Sequence, residues 1–129
     1  MTPLAPLHLA DPQAAERLFA SLAEEAVEVI AFVYLDRGQR VLGMRHSRSR
    51  ACDTHDIAVR DVAMDALAYD AAGVVMAHNH PSGDATPSAA DREATRRIAG
   101  ALAPLGVRLL DHLVVTRNGT TSFRALGLL

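Results

Sequence analysis

Hydrophobic residues recur along the first half of the chain at helical and strand spacings. Apolar side chains return every three or four residues as far as about Ala26, and Asp11 followed by Pro12 is typical of a helix start. The run 27–36, VEVIAFVYLD, is rich in β-branched and aromatic residues and predicts a central strand. After a turn at 36–38, residues 40–46 are its predicted hairpin partner, and 47–56 are predicted to be a polar loop.

The second half of the chain continues this alternation. The pattern predicts a helix from Val59 to about Ala71, a buried strand over 73–77, and a helix that begins at Ser88 and ends near Gly106. A strand over 107–116, a tight turn at 118–119 and a return strand over 120–123 follow. The order α-β-β-α-β-α-β-β predicts an α/β fold, a mixed β-sheet flanked by helices, in one domain spanning 1–129 with 1–10 as a loose lead-in.

Composition excludes several classes of protein. The chain has no run of 18 apolar residues, so no membrane span is expected, and its N-terminus lacks the pattern of a signal peptide. The one cysteine, Cys52, cannot form an internal disulfide and favours the reducing cytoplasm. All 13 basic residues are arginine, but the net charge of −2 argues against a polycation built to bind nucleic acid.

The stretch 78–91, HNHPSGDATPSAAD, carries the main candidate chemistry. His78 and His80 point to the same side if the preceding strand continues through them. Asp91 would lie in the first turn of the next helix, facing back towards the loop. Two imidazoles and one carboxylate are a usual ligand set for catalytic zinc, with a water molecule in the fourth position. We therefore predict one zinc ion per chain, able to activate water near neutral pH.

Simpler explanations exist for the same residues. Ser88-x-x-Asp91 is also the pattern of a helix capping box, which needs no metal. A histidine pair is often a surface or hydrogen-bonded core feature. The contiguous letters HNH do not indicate an HNH nuclease, whose residues are spread over a larger unit. A zinc deaminase would need H-x-E and P-C-x-x-C motifs, which this chain lacks.

The pattern His78-x-His80-x(7)-Ser88-x-x-Asp91 resembles the JAMM signature of the JAB/MPN metalloprotease family. With DHLVV at 111–115, it is similar to the RadC-type branch in particular, over roughly residues 24–129. The resemblance implies a JAB/MPN (cytidine-deaminase-like) architecture and zinc bound by His78, His80 and Asp91. It also implies a general base at Glu28, and a Ser88 hydroxyl that steadies the water or the oxyanion. The implied reaction is hydrolysis of an amide or isopeptide bond in a peptide or protein.

The chain also departs from the family pattern. RadC-type proteins usually carry a helix-hairpin-helix module ahead of this domain, and fewer than 30 residues precede Glu28. Their His-Pro-Arg-Glu segment corresponds to 58–61 here, where only Arg60 is kept. Glu28 itself has support independent of the family, because a carboxylate in an otherwise apolar strand is costly unless it has a partner.

Two weaker signals remain. Arg45, Arg48 and Arg50 lie in an arginine-rich stretch, 37–50, that could bind phosphate or could be a solvated hairpin edge. The alternative function is therefore a DNA-associated accessory protein, of the DNA-repair type, in which hydrolysis is incidental. Asp111 and His112 could include a second-shell partner that orients a metal ligand, or could make a strand-end hydrogen bond. The oligomeric state stays open, a homodimer included.

Overall fold

Helices and strands alternate through the computed structural model, which describes residues 12–48 and 59–129. The three α-helices and five strands, in chain order, are α1 Pro12–Phe19, β1 Val29–Leu35, β2 Val41–Arg48, α2 Val59–Ala68, β3 Gly73–Asn79, α3 Ala89–Leu102, β4 Arg108–Thr116 and β5 Gly119–Ser122. Short 3₁₀ turns extend α1 over Ala20–Glu24 and α3 over Ala103–Leu105.

The five strands form one mixed sheet in the order β2-β1-β3-β4-β5. Strands β3 and β4 are parallel, and every other neighbouring pair is antiparallel. The parallel pair needs a crossover, which α3 provides. This arrangement confirms the predicted α/β fold with a mixed sheet flanked by helices.

Each face of the sheet is covered by helices, so the central strands are buried on both sides. All residues of β1 and β3 are buried, which accounts for their nearly continuous apolar sequences. One core packs alternate strand residues, such as Phe32 and Met76, against α2 and α3. The other packs the intervening residues, such as Val33 and Val75, against α1 and its 3₁₀ extension.

Several element boundaries differ from those predicted. The first α-helix ends at Phe19 and continues as a 3₁₀ turn, a common way for a helix end to satisfy its last carbonyl groups. Strand β2 continues to Arg48 into the predicted polar loop, and the helix predicted to run to about Ala71 ends at Ala68. Strand β5 ends at Ser122, one residue early. The predicted N-cap Asp11 and residues 49–58 lie outside the described residues.

The most consequential difference is at the end of β3, which continues through His78 to Asn79 rather than ending at Ala77. Because β1 is antiparallel to β3, Ile30 near the start of β1 pairs with His78. The start of β1, the end of β3 and the end of β4 therefore meet at one edge of the sheet. None of the described helices has the length and hydropathy to cross a bilayer.

Candidate metal centre

The backbone brings the two histidines and Asp91 together at this edge. His78 is the last residue but one of β3. The amide of His80 still donates a hydrogen bond to the Val115 carbonyl, 3.1 Å away, so the extended backbone continues as far as His80. A turn follows, in which the Gly83 amide donates to the His80 carbonyl and Gly83 has a φ of +88°. This left-handed conformation suits glycine and reverses the chain towards α3.

The side-chain atoms of His78, His80 and Asp91 converge. The two Nε2 atoms are 2.9 Å apart. His78 Nε2 is 3.1 Å from Asp91 Oδ1, and His80 Nε2 is 3.1 Å from Asp91 Oδ2. His78 and Asp91 are buried, while 17 % of the His80 side chain is exposed, so the centre opens to solvent on the His80 side.

Hydrogen bonds on the far side of each imidazole decide which nitrogen carries hydrogen. His80 Nδ1 lies 2.8 Å from the Asp84 carbonyl oxygen, which can only accept, so Nδ1 is the donor. Thr95 donates its hydroxyl hydrogen to the Asp91 carbonyl and therefore accepts from His112 Nδ1 at 2.7 Å. Neutral His112 then accepts from His78 Nδ1, also at 2.7 Å. Both ligand imidazoles are left with an Nε2 lone pair at the centre.

Burial and charge shift the pKa values of the groups in this network. Burial opposes ionisation of Asp91, but the hydrogen bonds that His78 and His80 donate from Nε2 when they are protonated outweigh it and hold the pKa of Asp91 well below the usual range. The same hydrogen bond to Asp91 stabilises protonated His80 and raises its pKa against the effect of burial. Burial, with the positive charge that His78 carries when protonated, lowers the pKa of His112 well below its usual value, which keeps the His112 imidazole neutral.

The donor atoms fit a divalent cation. Two Nε2 lone pairs and a carboxylate that face one another at about 3 Å repel unless a proton or a metal ion lies among them. The candidate ligand atoms of His78, His80 and Asp91 all lie within 4.8 Å of one another. These three residues could therefore hold a metal ion, with their orientations already fixed by other hydrogen bonds.

Ser88 forms the capping box that the simpler explanation required. Its Oγ accepts from the Asp91 amide at 3.0 Å, and Asp91 Oδ2 accepts from the Ser88 amide at 2.8 Å. The cap and the candidate metal centre thus share the Asp91 carboxylate. The predicted role of Ser88 in stabilising an oxyanion stays a prediction.

Glu28 is not a strand residue, since β1 begins at Val29. It lies one residue before the strand, is buried with 6 % exposure, and its negative charge contributes to the raised pKa of His80. This position at the edge of the sheet brings Glu28 within electrostatic reach of the candidate ligand His80. Its predicted role as a general base stays a prediction.

Asp111 and His112 are neighbours in sequence but have different contacts. His112 contacts the candidate ligand His78 directly, as described above. Asp111 accepts hydrogen bonds from the Ser122 hydroxyl at 2.6 Å and the Arg124 amide at 3.0 Å, and so braces the segment after β5. Of the two residues, His112 is the one that contacts a candidate ligand side chain, and its predicted orienting role stays a prediction.

Two of the three arginine residues predicted to bind anions have acidic partners within the chain. Arg45 binds the carboxylate of Asp65 through Nε and Nη2, and Arg48 binds that of Glu25 at 3.0 and 3.2 Å. Arg50 lies outside the described residues. The carboxylate partners therefore account for the positions of two of the three arginines, and no nucleic-acid phosphate is needed to explain them.

Two residues of this region were missed by the sequence analysis. Thr95 lies in mid-helix, where nothing in the sequence separates it from a surface threonine. Asn79 was passed over as the middle letter between two histidines, although a polar residue that follows a buried strand is a usable signal. Both side chains are buried and fully engaged in hydrogen bonds with residues distant in sequence.

A sequence model described as "RadC-like JAB domain" matches residues 9–128. The chain belongs to the RadC-like JAB domain family. Named relatives agree: a UPF0758 protein of Nitrosococcus oceani is 43 % identical over 122 residues, covering 94 % of this chain and 54 % of the relative. A UPF0758 protein of Aeromonas hydrophila is 42 % identical over 110 residues, covering 85 % of this chain and 49 % of the relative. This RadC-like JAB domain thus spans about half the length of the curated relatives it matches.

Proposed function

We propose that this domain is a zinc-dependent hydrolase that cleaves an amide or isopeptide bond in a peptide or protein substrate. The observation that carries the proposal is the convergence of two imidazole nitrogens and one carboxylate whose orientations are fixed by other hydrogen bonds. His78, His80 and Asp91 would hold one zinc ion per chain. When bound, zinc acts as a Lewis acid and lowers the pKa of a coordinated water molecule.

The other residues have distinct proposed roles. The Glu28 carboxylate accepts a proton from the attacking water and delivers it to the leaving nitrogen, as a general base and then a general acid. The Ser88 hydroxyl donates a hydrogen bond to the carbonyl oxygen as negative charge develops there. Ser88 is exposed and His80 partly so, which supports access of a substrate from this side.

A metal ion that serves folding alone is a further rival, besides the DNA-associated alternative. Structural zinc sites usually have four protein ligands, whereas catalytic sites have three and leave one position for water or substrate. Among the described residues, the cluster consists of His78, His80 and Asp91. A set of three supports the catalytic proposal.

We further propose the cytoplasm as the compartment, since one cysteine cannot form an internal disulfide.

Two measurements test the proposal. Elemental analysis after zinc loading should give about one zinc per chain, and His80→Ala should lose most of it. The loaded protein is then incubated with a mixed library of linear and isopeptide-linked peptides, and new fragments are identified by mass spectrometry. We expect cleavage that stops when a chelator removes zinc and that Glu28→Gln slows by about 10²- to 10⁴-fold while retaining zinc. Equal zinc in wild type and His80→Ala would contradict the ligand assignment.

A further inference from the structure

The side chain of Asn79, between the two histidines, binds the backbone of a distant segment. Asn79 Nδ2 donates to the carbonyl oxygens of Glu25 at 3.2 Å and Val27 at 2.9 Å. Its Oδ1 accepts from the Val29 amide at 2.6 Å. With 1 % exposure, this amide is buried and uses both donor hydrogens and its acceptor on residues 25–29.

These three bonds enclose Glu28. Val27 and Val29 are its chain neighbours, so the peptide groups on both sides of Glu28 are bound by one side chain. The sheet cannot do this by itself, because the pairing between β1 and β3 begins at Ile30. Asn79 in effect continues the attachment to β3 beyond the last paired residue, Ile30, as far as Val27 and Glu25.

The same strand end therefore serves two sets of contacts. The His78 side chain is hydrogen-bonded to the buried His112. The side chain of Asn79, the next residue, is hydrogen-bonded to the segment that precedes β1. Adjacent residues of a strand point to opposite faces of the sheet. A shift of the β3 end would consequently move the candidate ligands and the Glu28 backbone together, which preserves their relative geometry.

We propose that Asn79 is a positioning residue that holds Glu28 at the metal centre by binding the backbone on both sides of it. The inference rests on the proposed function for the role of Glu28. A misplacement of about 1 Å in a reacting group can cost about 10²-fold in rate, so the loss of these bonds should matter although Asn79 touches no substrate.

The test uses the full chain loaded with cobalt(II) in place of zinc, because the visible spectrum of cobalt reports the groups around the ion. Glu28→Gln should change this spectrum, and Asn79→Ala should change it in the same way while retaining one metal per chain. The double variant should match Glu28→Gln alone. Once a cleaved peptide is identified, Asn79→Ala should slow its hydrolysis by about 10²-fold, and the double variant should be no slower than Glu28→Gln.

Thr116→Val is the matched control. The buried Thr116 hydroxyl makes two hydrogen bonds at the same end of the neighbouring strand, with the Gly119 carbonyl and the Asn118 amide. Its loss should lower the melting temperature and leave the cobalt spectrum as in wild type. If Asn79→Ala does not fold, Asn79→Asp replaces it, since the carboxylate keeps the shape and the acceptor but lacks both donors.

The outcomes separate the two proposals. A spectrum changed by Glu28→Gln but unchanged by the Asn79 variants overturns the role of Asn79 alone. The same holds if the effects of the two substitutions add in the double variant. A spectrum and a hydrolysis rate that Glu28→Gln leaves unchanged overturn the role of Glu28 in the proposed function and this inference with it.

Discussion

Replacing Thr95 by valine tests whether the hydrogen-bond chain behind His78 prepares the metal centre. Valine has nearly the same shape as threonine but lacks the hydroxyl group. The change removes the bond to the Asp91 carbonyl and the acceptor for His112 Nδ1. His112 is fully buried, so its Nδ1 hydrogen would then lack a partner, and the ring would favour the tautomer that presents hydrogen to His78. His78 would then accept this hydrogen bond at Nδ1 and carry its own hydrogen on Nε2, so that no lone pair would face the candidate metal centre.

The expected loss has two parts. Residues that orient a metal ligand typically contribute 10- to 100-fold to metal affinity, which corresponds to about 1.4–2.8 kcal/mol. A buried donor without a partner costs about 1–3 kcal/mol of folding free energy. At roughly 4 °C per kcal/mol for a domain of this size, the metal-free protein should melt several degrees lower. Zinc affinity should fall as well, even though Thr95 touches no ligand side chain.

The assay is a competition for zinc between the protein and a coloured chelator at pH 7, with thermal unfolding of the metal-free protein measured in parallel. Thr116→Val serves again as the control, because it also removes a buried hydroxyl with two hydrogen bonds. Both variants should lose stability, but Thr95→Val alone should lose zinc affinity. A zinc affinity of Thr95→Val within about twofold of the control would refute the reasoning.

Three further variants test other contacts. Asp91→Asn should lose zinc and also lower the stability of the metal-free protein by about 0.3–1 kcal/mol, measured by urea unfolding, because it removes a negative charge from the first turn of α3. Hydrogen bonding to Arg45 lowers the pKa of Asp65, so this carboxylate stabilises the fold above its unfolded pKa of about 3.9 and loses that effect as the pH falls. Asp65→Asn should therefore melt lower than wild type at pH 7, and the difference should close below about pH 4. Replacing Arg45 and Arg48 with serine should leave DNA binding at low salt unchanged; a loss of salt-sensitive binding would instead favour the DNA-associated alternative.

The fold and the candidate ligand set could be predicted because their signals are local. Strand β1 and helix α3 follow the hydrophobic spacing of their own residues, and the motif from His78 to Asp91 lies within 14 consecutive positions. The partners of these residues could not be predicted in this way. Asn79 is 50 residues from Val29, and His78 is 34 residues from His112. Only the sheet register brings these groups together.

Charge patterns in the sequence left the role of the arginine-rich stretch open for the same reason. Arg45 and Arg48 stand in a stretch without acidic residues, which could bind phosphate or form a solvated hairpin edge. Their carboxylate partners lie 20 and 23 residues away, on α2 and before β1. A cluster of like charge in the sequence says little about the local field until the neighbouring elements are known. Because the two charges of an ion pair offset each other, the net charge near the hairpin is smaller than the count of arginines suggests.

The two explanations of Ser88-x-x-Asp91 were posed as alternatives, but the structure combines them. Asp91 Oδ2 accepts from the Ser88 amide at the start of α3 and also lies 3.1 Å from His80 Nε2. A helix N-terminus favours negative charge, and the hydrogen bond fixes the carboxylate in orientation. A metal ligand needs both conditions, and here the helix start supplies them before any ion binds. The spacing of a capping box is therefore also the spacing that presents a carboxylate back towards the preceding loop. His78 near the end of β3 and His80 just after it make this cap a candidate metal centre as well.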